Sequence, residues 1–231
     1  SVAVTSARGT SAATLAEFAL ATIFAAAKQL PQVWIDGPQH WQQRPLASVS
    51  GSTLGLFGFG RIAQALAPKA QALGMQVLAL RHSAQPFEVP GVEGVADVHE
   101  LFARADHLLL AAPLTERTRH VIGPSVLASA KPGLHLINLA RGALIDQAAL
   151  LQALDSGRIA LASLDVSDPE PLPAGHPLYR HPRVRLSPHT SANCPEVYRQ
   201  IALLLGRNLA HLAHGRALEN AVSIAIEEAQ P

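Results

Sequence analysis

The chain has 231 residues, 48% of them hydrophobic and 15% charged, which is enough apolar material to bury a substantial core in one large or two small domains. Its formal charge of +1 is dispersed without a basic block, which excludes a surface built to track a nucleic-acid backbone. The single cysteine, Cys194, excludes an internal disulfide, and no Cys/His spacing suggests a zinc site, so a reducing cytoplasm and no metal are expected.

Thr10 and Ser11 are placed to cap a helix that runs to about residue 29, with Leu15, Phe18, Ala19, Thr22, Ile23 and Ala26 on one face and Pro31 as its stop. Glu17 and Lys28 interrupt this stretch well short of the roughly 20 apolar residues of a membrane span, so it reads as a buried helix and not as an anchor. No basic segment precedes it and no secretory cleavage pattern follows, while the absence of an initiator Met points to a start upstream of Ser1. Residues 31–50 form a polar connector carrying Trp34 and Trp41.

From residue 52 the pattern alternates. Strands are predicted at 53–57, 75–80, 106–111, 134–138, 159–164 and 183–186, separated by helices at about 61–72, 97–104, 124–130, 146–156 and 195–214. Continuous apolar runs such as Leu108–Ala112 fit strands covered on both faces. The class is therefore α/β, a doubly wound parallel sheet of Rossmann type. The chain divides into a nucleotide-binding domain over 1–192, with a leading helix at about 11–30 and a core at about 51–192, and a C-terminal helix and tail over 193–231.

The first strand runs into Gly58-Phe59-Gly60-Arg61-Ile62-Ala63 and then a helix. In a dinucleotide fingerprint the first glycine makes the tight turn, the second admits a pyrophosphate to the backbone, and a small third residue lets helix and strand pack closely. Amides at the helix start suit phosphate, so Gly58, Gly60, Arg61 and Ile62 are expected on the cofactor. The second strand ends in Arg81-His82-Ser83, where an acid would hold the ribose 2′-hydroxyl of NAD. A forked cation and a hydroxyl suit the 2′-phosphate of NADP instead, so NADP is expected to be preferred over NAD, with Arg81 and Ser83 as contacts. A strand-end arginine without a ligand is the bland alternative.

Three later motifs follow in order: Leu139-Ala140-Arg141-Gly142-Ala143-Leu144-Ile145-Asp146, Asp165-Val166-Ser167-Asp168-Pro169-Glu170 and Ser187-Pro188-His189-Thr190-Ser191-Ala192. With the glycine turn, this series resembles the D-isomer-specific 2-hydroxyacid dehydrogenase family over nearly the whole chain. The resemblance implies Arg141 as the group that binds a substrate carboxylate, His189 as the acid and base, and Glu170 as the carboxylate that orients His189. Asp168 competes with Glu170 for that last role, but the spacing from Asp165 favours Glu170. Imidazole suits proton transfer near neutrality, and a guanidinium suits a carboxylate and its neighbouring keto oxygen.

The resemblance also implies cofactor contacts at Ala112, Pro113, Thr118, Leu139, Ala140, Arg141, Asp165, His189, Ser191 and Ala192. Asp165 would receive the nicotinamide carboxamide, although a strand-end cap explains it equally well.

The activity implied is hydride transfer between a nicotinamide cofactor, NADP(H) by preference and NAD(H) as the other possibility, and a small 2-oxo acid or D-2-hydroxy acid, with glyoxylate and hydroxypyruvate the best candidates. The alternatives are a dinucleotide-sensing dimer of the corepressor type and a phosphite dehydrogenase. Family members build a separate substrate domain from an N-terminal segment and a C-terminal return; here residues 1–5 would end the first crossover and most of that domain lies outside the chain. A fragment of a longer enzyme is favoured over a natural short homologue. A cytoplasmic homodimer through the leading helix and the connector is expected, with no nucleic-acid or membrane partner.

Overall fold

The computed structural model describes residues 2–82 and 85–222. Seven parallel strands form one sheet: β1 (Thr53–Phe57), β2 (Gln76–Leu80), β3 (Val92–Gly94), β4 (His107–Leu110), β5 (Leu134–Asn138), β6 (Ile159–Leu164) and β7 (Val184–Leu186), in the order β3-β2-β1-β4-β5-β6-β7. The chain winds outward from β1 in one direction and from β4 in the other. A crevice therefore opens at the carboxyl ends of β1 and β4, where neighbouring loops leave on opposite faces.

Both faces are dry because the central strands carry apolar residues on each side. Leu54, Leu56, Val77, Leu109 and Ile137 face α1 (Ala12–Ala27) and α2 (Arg61–Ala72). Leu78, Leu108, Leu110, Leu136 and Leu164 face α3 (Val98–Arg104), α4 (Pro124–Ala128) and α5 (Gln147–Asp155). Each fully buried leucine contributes about 1.5–3 kcal/mol, so this double layer makes a rigid frame for the loops above it. Two carboxylates start helices: Asp97 accepts the Glu100 amide (2.9 Å), and Asp146 accepts those of Ala148 and Ala149 (3.0 and 3.1 Å).

Three expectations change. Thr10 and Ser11 do not cap α1 with their side chains: Ser11 holds the cap position without a cap bond, and the Thr10 hydroxyl donates to the Ala7 carbonyl. That helix ends at Ala27, four residues before Pro31, and its buried face is Leu15, Ala16, Ala19, Ile23 and Ala27, with Phe18, Thr22 and Ala26 only half-buried. The edge strand β3 has no counterpart in the sequence reading, because three residues with two exposed side chains carry too short an apolar pattern to register.

The last described helix is α6 (Pro195–Ala213), which buries only Val197, Leu204 and Asn208 and exposes Ile201, Leu205, Leu209 and Leu212 along one flank. Just beyond it, Ala221 pairs antiparallel with Thr5, joining the two ends of the described chain. No helix among the described residues is long and apolar enough to cross a membrane.

Candidate active site

At the carboxyl end of β1 the chain turns through Gly58 at φ +97°, a conformation that a side chain disfavours, and a Cβ there would sit 2.8 Å from the Ala112 backbone. Gly60 differs: a Cβ on it would meet nothing within 4 Å, so its backbone borders open space at the first turn of α2. The start of α2 has no side-chain cap, which leaves its first amides to a ligand. Arg61 and Ile62 line the resulting cleft of about 710 Å³ together with Ala112, Pro113, Leu139, Ala140 and Arg141. An open backbone cradle before an uncapped helix fits the pyrophosphate of a dinucleotide.

Arg8 and Ser11 also line this cleft, from the segment leading into α1, and the sequence reading missed them. Their only signal is an Arg-Gly pair just ahead of a helix, and it gains meaning once α1 packs on α2.

Asp165 and His189 do not line this cleft, and four other expected contacts also differ from the sequence reading. The Thr118 hydroxyl accepts the Thr115 amide (2.7 Å) and donates to the Pro113 carbonyl (2.8 Å), so it closes its own loop and does not line the cleft. The Ser191 amide is committed to Asp165 and Ala192 packs against the core, so neither lines the cleft. Arg81 is not a free fork: its Nη1 donates to both oxygens of Glu88 (3.1 and 3.0 Å), its Nη2 donates to the carbonyls of Gln85 and Pro86, and its side chain is only 10% exposed. Ser83 lies outside the described residues.

The chemistry-bearing side chains sit on the loops that leave β5, β6 and β7. Buried Asn138, at the end of β5, accepts the Ala140 amide (3.0 Å) and donates to the Arg141 carbonyl (2.9 Å), folding a tight turn that presents Arg141 to the cleft. Arg141 itself is exposed, with Nη1 donating to the Ala140 carbonyl (2.6 Å). Any side chain on Gly142 would overlap the Ser167 backbone, so glycine is what lets this turn lie against the loop after β6.

Asp165 is 2% exposed and organises the third loop. Its carboxylate accepts the Ser187 hydroxyl (2.5 Å) and the Thr190 and Ser191 amides (3.0 and 2.9 Å), while its carbonyl accepts the His189 amide (2.9 Å). Burial pushes this carboxyl up, but the Ser187 and Ser191 hydroxyls and the two amides outweigh it and hold the group below its ordinary range. The strand-end cap, left open beside the nicotinamide role, is the part these bonds describe.

His189 Nδ1 meets Glu170 Oε2 at 2.9 Å, and the other Glu170 oxygen accepts the Ser167 amide (3.0 Å). Asp168 turns elsewhere, to Arg119 at 3.8 Å. For Glu170, burial opposes ionisation, but the bonds from His189 and Ser167 and the charges of His189 and Arg141 hold the carboxyl below its usual range. His189 and Glu170 border a second cavity of about 640 Å³, walled by Leu172, Leu178, Tyr179 and Leu186. No group of three or more His, Cys, Asp or Glu side chains arranged for a metal ion occurs among the described residues.

The chain is similar to the D-3-phosphoglycerate dehydrogenase of Methanocaldococcus jannaschii, at 34% identity over 96% of this chain and 43% of that protein, and so spans less than half of that relative's length. It is also similar to the glyoxylate reductase of Aeropyrum pernix, at 34% identity over 95% of this chain and 69% of that one. A D-isomer specific 2-hydroxyacid dehydrogenase from Xanthobacter autotrophicus, solved in complex with NADPH and MES, superposes with a TM-score of 0.82 at 28% identity over 96% of this chain and 92% of that one. The family model described as D-isomer specific 2-hydroxyacid dehydrogenase, NAD binding domain, matches residues 20–191, and the chain belongs to that family.

Proposed function

We propose that this chain is the cofactor-binding part of an oxidoreductase that acts on a small 2-oxo acid, with glyoxylate or hydroxypyruvate as the substrate and the D-2-hydroxy acid as the product. The carrying observation is the His189–Glu170 pair at 2.9 Å, placed at the carboxyl edge of the sheet with Arg141 near enough to bias the ionisation of Glu170. The backbone cradle at Gly58 and Gly60 and the uncapped start of α2 would hold the dinucleotide. When bound, its nicotinamide supplies or accepts the hydride. Arg141 binds the substrate carboxylate and polarises the keto oxygen beside it. Glu170 occupies Nδ1 of His189, which leaves Nε2 to give a proton to that oxygen, or to take one in the reverse direction.

The NADP preference expected from Arg81 depends on a guanidinium that Glu88 already engages. Assembly as a cytoplasmic homodimer through α1 and the connector completes the reading. NADH and NADPH oxidation by the full gene product, assayed with a panel of 2-oxo acids, tests the catalytic part. Turnover on glyoxylate or hydroxypyruvate is expected, and cofactor binding without turnover on any 2-oxo acid would favour a dinucleotide sensor instead.

A further inference from the structure

The loop after β2 carries a pairing that the catalytic reading leaves unused. Gly58 donates its amide to the Leu80 carbonyl (2.8 Å), so the end of β2 lies directly beside the glycine turn. Arg81 follows. Its guanidinium stands over the Phe87 ring, 5.0 Å from the centroid, and Phe87 meets Phe59 edge-on at 4.8 Å. Phe59 is the residue between the two fingerprint glycines, so the segment from Pro86 to Glu88 is clamped against the turn that borders the cleft.

This clamp fixes a carboxylate. Both Glu88 oxygens accept from Arg81 Nη1, and the Glu88 side chain remains 49% exposed while that of Arg81 is 10% exposed. Arg81 is thus the inner post and Glu88 the outward face of the pair. Gln64, which lines the cleft from α2, also helps to keep Glu88 ionised.

We propose that Glu88, held by Arg81, stands in for the acid missing from the end of β2 and makes this chain favour NAD(H) over NADP(H). The inference rests on the dinucleotide reading of the cleft given above. A carboxylate beside the adenosine ribose accepts a hydrogen bond from a 2′-hydroxyl and repels a 2′-phosphate. The cation that would otherwise receive the phosphate has its fork turned to Glu88 and two backbone carbonyls, so a phosphate must displace a charge-assisted pair before it gains one. The specificity residue is therefore Glu88, seven positions beyond Arg81, where the fingerprint would place it.

Fluorescence titration of the chain with NADH and with NADPH tests this without any turnover. The parent should bind NADH about tenfold more tightly than NADPH. Glu88→Gln, which removes the charge and keeps the shape, should move the affinity ratio about 10- to 100-fold toward NADPH. Arg81→Gln should gain nothing for NADPH, because it frees the carboxylate and removes the only cation of the pair. Tighter NADPH binding by the parent, or an unchanged ratio in Glu88→Gln with both cofactors still bound, overturns the assignment of Glu88. Failure of every protein, parent included, to bind either cofactor overturns the dinucleotide reading itself and the inference with it.

Discussion

His189 holds a backbone φ of +50°, a region that L-residues with bulky side chains rarely enter. Bonds from its own amide to the Asp165 and Ser187 carbonyls (2.9 and 3.1 Å) offset a strain of about 1–3 kcal/mol and fix where the imidazole projects. His189→Ala should lower kcat of the full gene product by about 10²–10⁴-fold, as expected for loss of a general acid. Its cofactor affinity, measured by titration, should stay close to that of the parent, and normal turnover would contradict the role. Asp165→Ala removes the acceptor of one hydroxyl and two amides in a buried setting, and should cost about 2–4 kcal/mol of stability. Urea unfolding reads that cost, and kcat should fall with it because the loop holding His189 loses its anchor. Glu170 was legible from its spacing to Asp165, whereas the strap that Asp165 forms was not, since its partners lie 22 to 26 residues further along the chain.

At the scale of elements, a polar row crosses β4, β5 and β6 within a largely apolar sheet. His107 on β4 and His135 on β5 face each other through Nδ1 at 3.2 Å, and the Nε2 of His135 meets the Ser163 hydroxyl on β6 at 2.8 Å. Burial, with the neighbouring His107 and the Arg185 guanidinium on β7, pushes His135 down from 6.5 to about 3. A histidine that resists protonation when folded contributes stability fully above its unfolded pKa and loses it as the unfolded chain begins to take up the proton. The loss therefore begins near pH 6.5 and runs toward the folded value, reaching about 2 kcal/mol by about pH 5 from this residue alone. Urea midpoints measured from neutral pH to about pH 5 should fall in the parent, and His135→Gln should flatten that slope while His107, also lowered by burial, keeps part of it. A slope unchanged by the substitution would exclude His135 as its source. A second packing constraint sits at the turn after β5. Gly142→Ala should separate that turn from the β6 loop, lowering both the unfolding midpoint and turnover, because the clash is with backbone and no side-chain rotation relieves it.

For the molecule as a whole, the connector after α1 exposes Trp34 at 71% and Trp41 at 80%, with Ile35 and Leu46 also exposed. Both tryptophans leave most of their surface uncovered, and a cluster of this kind commonly marks an interface. Light scattering at micromolar concentration should report twice the monomer mass, and Trp34→Asp with Trp41→Asp should shift it toward the monomer; a parent that is monomeric under those conditions would rule out this interface. The layered α/β class, six of the seven strands and the turn at Gly58 were determined by the sequence alone, because apolar periodicity and glycine conformational preference act over a few neighbouring residues. The order of motifs also singled out Arg141, Glu170 and His189 without reference to coordinates. Only the tertiary structure decided what the charged and polar groups do once folded: Arg81 spent on Glu88, Thr118 on its own loop and Asp165 on the His189 strap. Those outcomes depend on which donors and acceptors the packing brings within about 3 Å, and linear spacing does not encode that encounter.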